Sequence, residues 1–127
     1  MANTNRQPRR RAATQESPRD ELEDLRVAFN VRMEGDLAYF LDAIAALANP
    51  EVKAASMFDE LHSRAHRLAG GAAIFEVAAI ASAASALVRA AAAASMARAT
   101  RADAAVTGAL ADLVRILAIH TGYASGR

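Results

Sequence analysis

The chain has 127 residues, 54% of them hydrophobic but only 5% aromatic, and it contains no cysteine. This length suits one domain with a single core, and without cysteine neither a disulfide framework nor a thiolate metal site is available. The formal charge of +1 hides an asymmetry: Arg6, Arg9, Arg10 and Arg11 make the first fifteen residues basic, while the rest has 11 basic against 14 acidic residues, an acidic body that argues against nucleic-acid binding.

Alanine is abundant and β-branched residues are few, so helix propensity is strong and strand propensity weak along the whole chain. An all-α fold is expected. Residues 1–16 have almost no large apolar side chains and include Pro8, which predicts a disordered basic tail, with a secondary reading as an arm for acidic partners. Residues 17–127 form the expected domain. The N-terminus is polar where a secretory signal would be apolar, and the apolar run Val77 to Val88 lies between Glu76 and Arg89. A cytoplasmic protein that does not enter a membrane is expected.

Helical order should begin at "SPRD", with Ser17 as cap, Pro18 in the first turn and Asp20 three residues after the cap. Leu22, Leu25, Phe29, Met33, Leu37, Phe40 or Leu41, Ile44 and Leu47 then recur at steps of three and four up to the stop signal Asn49-Pro50. Gly35 weakens the middle of this segment and allows a short extra N-terminal helix before a longer one. A second segment, from about Ala54, buries Phe58, Leu61, Ala65, Leu68 and Ala72; a third, from about Val77 to Ala97, buries Val77, Ile80, Ala84, Leu87 and Ala91. In "TRAD", Thr100 is the expected cap of a last helix, with Val106, Leu110, Leu113 and Leu117 inward and Gly122 at its end. Four amphipathic helices with short connections predict an up-and-down bundle.

The candidate chemistry lies in the second segment, in "AHRLAGGAAIF", Ala65 to Phe75. On an ideal helix His66 is turned about 100° from Ala65, away from the core. Its neighbours toward the C-terminus, Ala69, Gly70 and Ala73, are all small. An interior glycine costs a helix about 1 kcal/mol relative to alanine. A cleared surface beside one imidazole is a reason to accept that cost; chance in an alanine- and glycine-rich sequence, or close packing of another helix at Gly70 and Gly71, accounts for it equally well.

These residues resemble the signature of histidine phosphotransfer (HPt) domains. His66 matches the phosphorylated histidine, Leu68 the hydrophobe at plus two, Gly70 the glycine at plus four, and Phe75 an apolar position before the next helix. The resemblance covers Leu22 to His120 and departs at two places, with Ala69 at the frequent lysine and Glu76 at the frequent glycine. It implies a four-helix bundle whose surface histidine relays a phosphoryl group between receiver-domain aspartates in a two-component phosphorelay. His66 would be the acceptor, with His62, Ser63, Arg67, Ala69, Gly70, Gly71 and Ala73 supporting or docking, and Asp36 and Tyr39 as further rim residues. Arg64 or Arg67 would replace the missing lysine charge. The implied partners are response-regulator receiver domains and a hybrid histidine kinase; the receiver brings the magnesium, so this chain needs no cofactor. The alternative is a bundle of the same fold that binds a kinase or receiver as an adaptor without carrying phosphate.

Two further histidine readings are weaker. His62 and His66, four residues apart and with Asp59 nearby, have the spacing to share a metal ion, but no second ligand cluster exists and no metal site is expected. His120 falls on the apolar stripe near the end of the last helix, which predicts a half-buried packing or capping residue.

Overall fold

The computed structural model describes residues 18–99 and 103–122. Among these residues there are four helices and no strands: α1 (Pro18–Ala48), α2 (Ala55–Ile74), α3 (Ala78–Met96) and α4 (Ala104–Thr121). Each helix packs against its neighbours in sequence, α1 closes the ring on α4, and the diagonal pairs do not meet. The result is the four-helix bundle that the apolar periodicity predicts.

Its core joins the stripes of α2 to α4, with Phe58, Leu61, Ala65, Leu68 and Ala72 facing Ile80, Ala84, Leu87, Ala91, Val106, Leu110, Leu113 and Leu117, to Phe29, Met33, Leu37, Phe40, Ala43 and Leu47 of α1. Val77 is only half-buried because it precedes α3 as its cap residue. The apolar content of α3 and α4 is high enough that both would be long and apolar enough to cross a membrane by length and composition, with mean hydropathy 1.4. That extends the apolar run well past Val88. Here the inward stripes of both helices bury against the other two helices of the bundle.

α1 departs from expectation in two ways. It runs unbroken through Gly35 for 31 residues, so there is no separate short N-terminal helix. Met33 and Leu37 are buried on either side of the glycine, and their packing outweighs one weak helix former. Second, residues 18–28 are all exposed, including Leu22 and Leu25. α1 spans about 46 Å at 1.5 Å per residue, and its partners have 18 to 20 residues. The stripe therefore continues past the end of the bundle. Of the pair Phe40 or Leu41, Phe40 enters the core and Leu41 is half-buried against it, while Ile44 lies outside, where Ala43 is buried instead.

The helix ends follow local chemistry. Pro18 opens the described part of α1; its expected cap, Ser17, lies outside the described residues, as does Thr100. α4 is capped by Asp103, whose carboxylate accepts from the amides of Ala105 at 2.7 Å and Val106 at 3.2 Å. The helix starts one turn later than a Thr100 cap would place it. Gly122 ends it at φ 78°.

α2 and α3 end in the same backbone motif. The amide of Val77 donates to Ala72 O and that of Glu76 to Ala73 O; Ala99 and Arg98 do the same toward Ala94 and Ser95. This double bond requires a left-handed residue, which glycine adopts best. Here Glu76 at φ 59° and Arg98 at φ 55° fill those positions. Glu76 thus stands in the conformation of the glycine that the HPt pattern has there. Glu76→Gly should raise stability by about 1 kcal/mol, read as a higher urea midpoint; an unchanged or lower midpoint would contradict the strain argument.

Candidate functional site

The core stripe of α2 fixes which side chains reach its two flanks. Arg64, Gly71 and Glu60 lie on one side of the stripe, His62, His66, Ala69 and Ala73 on the other, by the 100° rotation per residue. Contacts confirm the assignment. Arg64 and Gly71 meet α1 through Asp36 and Phe29, whereas His62 and Asp59 share a cleft of about 230 Å³ with Ala91, Ala92, Ser95 and Met96 of α3.

His66 is exposed, as the helical wheel predicts, and makes no hydrogen bond or ion pair among the described residues. Its ring stacks on that of half-buried His62, with centroids 6.1 Å apart and planes within 7°. Ser63, Arg67, Gly70 and Ala73 are also exposed. Among the described residues no group of three or more His, Cys, Asp or Glu side chains is arranged to hold a metal ion.

The two glycines have different roles. A Cβ on Gly71 would collide with the ring of Phe29, which stacks on Phe75 at 5.1 Å between centroids. Gly71 is therefore a packing glycine that lets α1 approach, and Phe75 anchors the end of α2. A Cβ on Gly70 would meet nothing within 4 Å. No contact among the described residues explains that glycine. Ala69 is half-buried against the core at the seam with α3, a place where a lysine would have to thread its stem past another helix.

The α1 flank is closed by an ion-pair network that the sequence did not reveal. Asp36 is buried at 4% exposure and pairs with Arg64 at 3.3 Å. Arg64 also bonds Glu60 at 2.9 Å and lies 4.2 Å over the ring of Tyr39. Asp36 and Tyr39 are thus part of a helix-to-helix clamp rather than a docking rim. Arg64 is committed to it and does not reach toward His66. Exposed Arg67 makes no ion pair within 4 Å among the described residues. His120 is exposed, at a small cleft with Asn30, Glu34 and Thr121, and does not pack into the core as its stripe position predicts.

Burial raises the Asp36 carboxyl above its ordinary range, and the cations Arg64, Arg32 and Arg67 only partly offset this. Burial likewise raises the Tyr39 hydroxyl, helped by Glu60.

No family model, curated protein or solved structure matches the chain.

Two outcomes follow from this geometry. Gly70→Ala should stabilise the protein by about 1 kcal/mol and Gly71→Ala should destabilise it by about 1–2 kcal/mol through overpacking, measured by urea unfolding; equal effects would remove the distinction between them. Because the folded state keeps the Asp36 proton to higher pH than the unfolded chain, stability relative to Asp36→Asn should be greatest at low pH and fall as pH rises through and above the ordinary carboxylate range. Urea midpoints of both proteins from about pH 3 to 7 test this; a difference that grows with pH would contradict it.

Proposed function

We propose that this protein is a histidine phosphotransfer protein that relays a phosphoryl group between receiver-domain aspartates in a cytoplasmic phosphorelay, with His66 as acceptor. The observation that carries the reading is an exposed, unbonded imidazole on the second helix of a four-helix bundle, followed one turn later by a glycine with open space above it. A nucleophile that must be approached in line by another protein needs this clearance.

The chemistry asks little of this chain. The unprotonated ring nitrogen of His66 attacks the phosphorus of a phospho-aspartate; an N–P bond forms as the acyl O–P bond breaks, and the aspartate leaves as carboxylate. The proton on the other ring nitrogen passes to water. In the reverse displacement the free ring nitrogen takes a proton back from water, a second aspartate carboxylate attacks the phosphorus, and the N–P bond breaks as neutral imidazole leaves. The receiver would supply magnesium, and exposed Ser63 and Arg67 on the same helix are the donors offered from this chain.

One observation favours the adaptor reading: Ala69 stands where the family places a lysine, and Arg64 is held by Asp36 and Glu60. The two readings separate in one experiment. Incubation with receiver domains charged by acetyl phosphate should give acid-labile, base-stable phosphate on the wild type and none on His66→Gln. Stable receiver binding without any such phosphate would select the adaptor, and equal labelling of His66→Gln would remove His66 as the site.

A further inference from the structure

His62 and His66 lie one turn apart on the flank of α2 away from α1. Their rings are parallel, with centroids 6.1 Å apart and planes within 7°, and neither makes a hydrogen bond or ion pair among the described residues. The spacing alone carries no metal site, because the sequence adds no second ligand cluster. The fold adds two things. It leaves both imidazoles without a competing partner, and it seats His62 in the cleft of about 230 Å³ lined by Asp59, Ala91, Ala92, Ser95 and Met96.

No lysine or arginine lines that cleft. Asp59 brings a carboxylate to it, and Ser95 and Met96 belong to the last turn of α3, the negative end of a helix dipole. The setting favours a cation. Two imidazoles four residues apart can ligate one divalent ion, as the paired histidines of zinc-binding helices do. Zinc takes each nitrogen at about 2.0–2.1 Å, so the two ligating atoms must come within roughly 3.3 Å of each other. The parallel rings do not converge as they stand, and a turn of the His66 ring closes the gap. His66 is exposed and has no bond to break in turning, while half-buried His62 is the fixed ligand. No group of three or more His, Cys, Asp or Glu completes the set among the described residues. Water then fills the remaining positions, and the ion exchanges with solvent.

We infer that His62 and His66 form an exchangeable site for a late first-row divalent ion, copper above zinc, and that its occupancy and phosphorylation of His66 exclude each other. The second half rests on the phosphotransfer reading. A neutral imidazole has one unprotonated nitrogen, so a metal on that nitrogen leaves His66 without a nucleophile.

The test uses the full chain without an affinity tag. Zinc and copper(II) are titrated by calorimetry into the wild type, His62→Ala, His66→Ala and His120→Ala; the last removes an exposed histidine of α4 and is the control. The wild type should bind both metals, copper more tightly. His62→Ala and His66→Ala should each weaken zinc binding by roughly tenfold or more, because the second ligand no longer binds intramolecularly, and His120→Ala should leave it unchanged. Full affinity in His62→Ala or His66→Ala, an equal loss in His120→Ala, or no zinc binding to the wild type up to about 1 mM would overturn the site. The second readout is labelling by phosphoramidate, which needs no protein partner. Zinc just above the concentration that saturates the wild type should suppress its label, EDTA should restore it, and His62→Ala should keep most of its label at the same zinc concentration. Zinc bound through both histidines with labelling intact would overturn the exclusion. No label without metal would overturn the phosphotransfer reading, while the titrations still decide the metal site.

Discussion

The rotation of α2 about its own axis is the constraint on which the rest of the site depends. Five residues set it from the core side, Phe58, Leu61, Ala65, Leu68 and Ala72, all buried at 1% exposure or less. Their small members let α3 come close on one flank. On the other flank the rotation is held by a charge: Arg64 reaches Asp36 on α1 at 3.3 Å. A buried ion pair adds little net stability compared with an apolar pair, but leaving either partner alone is costly, so the pair acts mainly against misrotation. With the core side and the α1 flank fixed, His66 can only lie on the remaining arc, at the surface.

The same clamp explains why two adjacent glycines have unrelated causes. Gly71 is turned to α1, where the Phe29 ring fills the space that a side chain would need. Gly70 is turned about 100° further, where none of the described residues comes within 4 Å of an added Cβ. Packing among the described residues accounts for the first glycine and not for the second. Sequence alone allowed both explanations for both residues, because adjacency along a helix says nothing about which flank a neighbouring helix occupies.

What could be read from the sequence followed from local periodicity. The stripes of α2, α3 and α4 were legible because each helix alternates apolar and small residues at steps of three and four over its full length. α1 was less legible because its pattern does not show where its neighbours stop, so Leu22 and Leu25 continue the stripe into solvent. Asp36 had no local signal. A carboxylate within an apolar stripe implies a partner, but Arg64 lies 28 residues away and only the fold brings them together. The half-burial expected of His120 fails because position on a stripe predicts burial only where a neighbouring helix covers that end, while its place in the last turn of α4 is as expected.

The clamp also bears on the missing lysine. Position 69 lies half-buried at the α2–α3 seam, and a close alanine-lined seam favours a methyl group over a long charged stem. On the proposed phosphotransfer reading, the cation for the phosphoryl group comes from the outward side of α2 instead. There the single buried carboxylate of Asp36 is surrounded by Arg32, Arg64 and Arg67, and only Arg64 pairs with it directly. The guanidinium groups of Arg32 and Arg67 remain exposed to solvent on that side. On the proposed reading Ala69 and Arg67 are one arrangement: close packing keeps a charge out of the seam, and the outward face would supply it.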